Sequence, residues 1–82
     1  MGSDGRLSWT RVMEEGLRLW RARRRHDRID ALLRKSASGW TLELRRNDRL
    51  MFRERYETDR EARAEAAARL NELLRAGWVD HW

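Results

Sequence analysis

Arginine is the residue with most chemistry to offer in this chain. The stretch WRARRRHDRIDA, residues 20–31, places five arginines and a histidine in twelve positions. A guanidinium is permanently charged and presents five donors in a planar fork, which suits carboxylates and phosphates. Other reactive groups are sparse. General acid–base or nucleophilic catalysis needs partners converging in a pocket, and the chain has two histidines, no cysteine and scattered serines. His26-Asp27 falls in an expected turn, and His81 stands between Asp80 and Trp82, so both read as solvated. Two adjacent ligands such as Asp80-His81 do not make a metal site, and no glycine-rich phosphate loop occurs. The expectation is a non-enzymatic domain without catalytic, cofactor or metal residues.

Charge distribution says more than arginine content, since eighteen arginines against the single Lys35 also fit a GC-rich genome. Residues 1–55 carry 15 basic and 8 acidic side chains, net +7, and residues 56–82 carry 4 and 6, net −2, together the +5 of the whole chain. Basic character concentrated in one part can form a basic face.

The elements that must build this face can be read from the pattern. Residues 40–46, WTLELRR, alternate with Trp40, Leu42 and Leu44 on one side, and residues 50–56 place Leu50, Phe52 and Tyr56 together. A two-residue loop would set Leu44 beside Met51 and Leu42 beside Arg53. A one-residue slip flips every side chain, so an odd loop is expected, Asn47-Asp48-Arg49, pairing Leu44 with Phe52 and Glu43 with Arg53. A turn at Ser36–Gly39 then pairs Leu33 with Leu42 and Asp30 with Arg45, making residues 28–35 a strand. Residues 8–25 allow two readings. One is a helix capped by Ser8. The other is a short helix ending at Gly16, a strand at 17–23 and a turn at 24–27, pairing Trp20 with Ala31 and Arg21 with Asp30. The second is preferred, because glycine within a helix costs about 1 kcal/mol relative to alanine.

Thr58-Asp59-Arg60-Glu61 reads as a capping box. Ala62, Ala66, Leu70, Leu73 and Leu74 then recur at helical spacing, and Gly77 suits a left-handed stop. A helix over about 59–76 follows. The fold class is α+β: an antiparallel meander of three or four strands with one face covered by a C-terminal helix. Residues 1–7 read as a polar, frayed N-terminus and 8–82 as one small domain. No apolar run reaches membrane-spanning length, and the lack of cysteine fits a cytoplasmic setting.

Leu19-Trp20, His26, Ile29-Asp30-Ala31-Leu32-Leu33, Gly39-Trp40, Tyr56-x-Thr58, Ala62, Ala66, Leu70, Leu74 and Gly77-Trp78 form a broader pattern. From about residue 17 onward it resembles a loose group of small uncharacterised bacterial proteins. That resemblance implies a β-meander and a helix ending in Gly-Trp, and no activity. Residues 39–74 are also similar to the second half of double-stranded RNA-binding domains, with Arg60-Glu61-Ala62-Arg63 and Ala66-Ala67 echoing their basic, alanine-rich final helix. Carried over, Arg60 and Arg63 would be phosphate contacts. The chain departs from that pattern in lacking a central Gly-Pro-x-His loop and in having Asp59 where a second basic residue is usual.

Two binding roles follow from the expected registers. Arg21, Arg34, Arg45, Arg53 and Arg55 share the face opposite the apolar one, with Arg23, Arg24 and Arg25 at its corner. Such a face fits sequence-tolerant binding of a nucleic-acid backbone. Asp30 and Glu43 lie among these arginines and would neutralise two of them. Leu19, Leu32 and Met51 fall on the same face. Together with Trp82 they point to a protein partner or a second copy of the chain, the role the sequence favours.

Overall fold

The computed structural model describes residues 16–80 of the chain. The short helix expected to end at Gly16, and the candidate contact Trp82, lie outside the described residues, whereas the alternative of one helix over residues 8–25 is overturned, since Leu17–Arg24 is a strand. Five antiparallel strands form one sheet: β1 (Leu17–Arg24), β2 (Asp27–Ser36), β3 (Gly39–Arg46), β4 (Arg49–Tyr56) and β5 (Val79–Asp80), with helix α1 (Asp59–Arg75) between β4 and β5. Their spatial order is β4-β3-β2-β1-β5. The first four strands are the expected meander, with residues 17–24 as strand. β5 returns the chain to the outer edge of β1, pairing Ala22 with Asp80 and Arg23 with Val79.

Apolar alternation explains the register. Trp20, Ala22, Ile29, Ala31, Leu33, Leu42 and Leu44 are buried on the helix-covered face, joined by Ala62 and Ala66 of α1 and by Trp78. β1, β2 and β3 contribute every second residue, as the pleat requires, and Phe52 and Tyr56 of β4 pack against them partly buried. The two alanines let the helix backbone come close to the sheet. There the Trp20 indole N–H donates to the Ala66 carbonyl at 2.8 Å, satisfying a polar group that burial would otherwise penalise.

The β3–β4 register holds as read, with Leu44 opposite Phe52 and Glu43 opposite Arg53, but the loop does not. The turn has two residues, Asn47 and Asp48, both with positive φ (51° and 71°), as a tight primed turn demands. Arg46 pairs with Arg49, Arg45 with Leu50, and the register shifts before Leu44 meets Phe52. Met51 is therefore the extra residue of a β-bulge. The parity argument was sound, and the odd residue sits in the strand instead of the loop. The turn is tied down by Asn47, whose N–H donates to the Arg28 carbonyl at 2.9 Å and whose Oδ1 accepts from the Arg28 N–H at 3.0 Å.

A second bulge lies in β1. Arg18 pairs with Leu32 and Trp20 with Ala31, leaving Leu19 as the extra residue. Leu19 packs against the core beside Trp20. It is not on the open face where simple alternation put it.

Helix α1 begins with the capping box: the Glu61 N–H donates to Thr58 Oγ1 at 3.1 Å and the Thr58 N–H to Glu61 Oε1 at 3.2 Å. It ends at Gly77, φ +99°. The Trp78 N–H donates to the Leu73 carbonyl at 3.0 Å and the Gly77 N–H to the Leu74 carbonyl at 3.2 Å, the paired closure of a left-handed helix stop. This stop turns Trp78 back into the core.

Candidate functional site: the arginine–carboxylate face of the sheet

The face away from α1 is built from charge. By register it carries Arg18, Arg21 and Arg23 of β1, Arg28, Asp30, Leu32 and Arg34 of β2, Thr41, Glu43 and Arg45 of β3, and Leu50, Arg53 and Arg55 of β4, with Val79 of β5 opposite Arg23. Eight guanidiniums surround two buried carboxylates and the exposed Asp48, a formal excess of five positive charges among the described residues. Both carboxylates are buried although no element among the described residues covers this face: Glu43 is 2% exposed and Asp30 7%. The long arginine side chains gather around them.

Each carboxylate gathers several arginines. Arg21 Nε donates to Asp30 Oδ1 at 2.6 Å, and Arg28 Nε lies 3.3 Å from Oδ2. Arg28 also reaches Asp48 at 2.9 Å. At Glu43, Oε1 lies 3.3 Å from Arg34 Nε and 3.4 Å from Arg45 Nη2, while Oε2 accepts from Arg53 Nε at 3.0 Å. The carboxylates thus act as fixed pins. Arg21, Arg45 and Arg53 donate to a pin, and Arg28 and Arg34 lie within ion-pair distance of one. Arg55 is anchored separately, donating to the Ser38 carbonyl at 2.6 Å. Gly16, Arg18, Arg21, Asp30, Leu32, Arg34, Arg45 and Asp48 line an open hollow of about 380 Å³ on this face.

Of the expected arginines, Arg21, Arg34, Arg45 and Arg53 converge on the pins. Arg23 and Arg55 occupy the same face at its two ends. Arg25 stands exposed in the β1–β2 turn at φ 56°. Arg24 does not belong to the group. It lies on the helix side, donating to the Ala76 carbonyl at 3.1 Å and stacking 5.0 Å above the Trp78 ring, with Arg46 5.6 Å from that ring. The reason is the pleat: Arg23 and Arg24 are consecutive in a strand and point to opposite faces. Arg18 and Arg28 complete the site and escaped the sequence reading. Arg18 arrives through the bulge, which puts Arg18 and Arg21 on one face at a spacing of three. Arg28 was legible, since it shares the alternation of Asp30 and Leu32.

The apolar trio does not assemble. Leu19 is on the helix side, Leu32 is half-buried among the arginines, and Met51 lies at the β4 bulge, 53% exposed, beside Leu50 and Arg49.

Beyond this face, Asp27 is held below its ordinary value of 3.8 by the Asn47 side-chain amide and then by Arg46, at 3.1 and 2.7 Å. A depressed carboxyl stabilises the fold above the ordinary value and loses that contribution as pH falls through the lowered one. On the helix, Asp59–Arg63 and Glu65–Arg69 form ion pairs at 2.6 and 2.7 Å, one turn apart as the spacing indicated. Among the described residues no three metal-ligating side chains come together, and no helix is long and apolar enough to cross a membrane. No protein-family model, curated protein or solved structure matches this chain.

Proposed function

We propose that this is a non-enzymatic binding domain whose open sheet face holds a polyphosphate backbone, such as that of a nucleic acid, without reading its sequence. The observation that carries the reading is the excess of arginine: eight guanidiniums against two buried carboxylates and the exposed Asp48, on a face that no element among the described residues covers. Neutralising cross-strand pairs would need nearly equal numbers of each sign. The lack of cysteine supports a cytoplasmic setting for this role.

A protein partner or a second copy is supported by a different feature. The outer edge of β4 is unpaired in the sheet order, and Leu50 and Met51 are exposed there, at 46% and 53%. The same strand carries the bulge and the charges Arg49, Arg53, Glu54 and Arg55, devices that oppose edge-to-edge pairing. Phosphate binding is therefore the better-supported role.

The test is fluorescence anisotropy with labelled oligonucleotides of unrelated sequence between about 50 and 200 mM salt. Binding should be insensitive to sequence. On duplex DNA, log K should fall by about 0.9 per phosphate contact for each tenfold rise in salt. No binding at the low-salt end, with sedimentation showing a stable dimer, would replace this reading with self-association.

A further inference from the structure

The hollow in the arginine face owes its existence to two small residues. On β2, Leu32 lies between Asp30 and Arg34, with Arg18 and Glu43 beside it in the register. Arg21 and Arg45, the two cross-strand partners of Asp30, stand at its diagonals. A leucine side chain is several atoms shorter than an arginine, so the face dips at Leu32. Gly16 widens the dip. A Cβ there would stand 2.9 Å from Cγ of Arg34, so the missing side chain is what lets the Arg34 stem lie against the start of β1. The result is the depression of about 380 Å³, with a half-buried leucine among guanidiniums.

Its electrostatics are set by one ion-pair network. Arg21, Arg28, Arg34, Arg45 and Arg53 meet Asp30, Glu43 and Asp48. Five positive charges against three negative ones leave an excess of two, without counting Arg18, which makes an interaction of its own. Asp30 lines the hollow too, but Arg21 at 2.6 Å and Arg28 at 3.3 Å already compensate it. Arg21, Arg34 and Arg45 line the hollow with 29%, 29% and 33% of their side chains exposed.

Building on the phosphate-binding reading, we infer that this hollow is a discrete subsite for a phosphate monoester, carried by a nucleic-acid strand end or by a small phosphorylated molecule. The monoester dianion brings close to two negative charges and three acceptor oxygens, which matches the surplus of the network. Tethered by a single bond, it can enter a dip and meet guanidiniums on more than one side. A backbone diester carries one charge and is tethered on two sides, so it lies across the rim instead.

Two measurements test the subsite. Inorganic phosphate titrated into isotopically labelled protein should shift amide resonances saturably, centred on Leu32 and Arg34 in NMR spectra. In anisotropy, one oligonucleotide is compared with a 5′-phosphate and with a 5′-hydroxyl. The phosphorylated strand should bind about tenfold more tightly near pH 7.5, the effect of one charge-assisted hydrogen bond. That preference should fade toward about pH 5, since the ester takes up its second proton near pH 6. Arg18, Arg21, Asp30, Arg34, Arg45 and Asp48 face the hollow and His26 lies in the neighbouring turn. The hydroxyl-ended strand meets all of them and registers any change they undergo.

Leu32→Phe fills the hollow without removing a charge. It should abolish the phosphate saturation and the end preference, with the affinity for the hydroxyl-ended strand and the melting temperature unchanged. Arg34→Gln should remove both as well, by taking away one side of the rim. Arg55→Gln, outside the hollow, should weaken both strands and keep the preference. A preference for the phosphorylated end identifies a strand terminus as the ligand, and saturation without that preference identifies a small phosphate ester. Neither saturation nor preference, or a preference that survives Leu32→Phe and Arg34→Gln, would overturn the subsite and leave backbone binding standing. Saturation by phosphate with no strand bound at about 50 mM salt would remove the backbone reading and keep the subsite.

Discussion

Glu43 contributes to stability and, under the proposed phosphate-binding role, opposes binding. Its carboxylate is 2% exposed and meets Arg34, Arg45 and Arg53. Removing a buried charge usually costs several kcal/mol, because its partners are left buried and unpaired. Here the partners are 29%, 33% and 56% exposed, so water takes up part of the loss. Glu43→Gln should therefore destabilise by about 2 kcal/mol, read by urea unfolding, while Glu57→Gln on the surface should stay within about 0.5 kcal/mol. Under the proposed phosphate-binding role, the same Glu43→Gln protein should in anisotropy hold an oligonucleotide as tightly as the parent or more tightly, having lost a negative charge from the arginine face. Reduced binding by a folded Glu43→Gln protein would mean that the pin's geometry outweighs its charge. Most of this site was legible as pairs, since alternation alone sets Asp30 against Arg21 and Arg45, and Glu43 against Arg53. What pairwise reading could not show is the many-to-one convergence, because it depends on how far arginine side chains lean along the sheet.

At the scale of elements, the apolar pattern specifies parity and little else. It required one extra residue between Leu44 and Phe52, and both a three-residue loop and a two-residue turn with a bulge satisfy that. The fold uses the bulge, and Asn47-Asp48 at positive φ is the residue-level reason. The bulge in β1 misplaced Leu19 for the same cause: alternation within one short strand cannot reveal where an extra residue sits. β5, two residues long, has no period to detect. Glycines give a sharper test of element geometry. A Cβ on Gly39, φ +150°, would stand 2.6 Å from the Tyr56 carbonyl oxygen, while one on Gly77, φ +99°, would meet nothing within 4 Å. Gly77→Ala should thus cost about 1 kcal/mol, the strain of a left-handed backbone alone. Gly39→Ala should cost clearly more, since a strand backbone must move. Equal denaturation midpoints for the two variants would contradict the close approach of β3 to the end of β4.

For the whole molecule, the topology divides contacts into near and far. The links β1–β2, β2–β3 and β3–β4 are hairpins with two-residue turns, so most of the sheet joins chain neighbours. Three contacts instead span nearly the whole described chain: the Trp20–Ala66 bond over 46 residues, the Arg24–Ala76 bond over 52, and the pairing of Ala22 with Asp80. All three fasten α1 or β5 to β1. Closing such distances carries an entropic cost before any contact repays it, which makes them the late events of folding. Trp20→Phe, which deletes the indole donor and keeps a ring, should therefore accelerate unfolding and leave the refolding rate almost unchanged. Leu42→Ala, in the centre of the hairpins, should slow refolding, as stopped-flow fluorescence would read from the remaining tryptophans. The bond from Trp20 to Ala66 then acts as a latch. While it is open, the hairpins already present the arginine face, so that surface takes shape before the chain has finished folding.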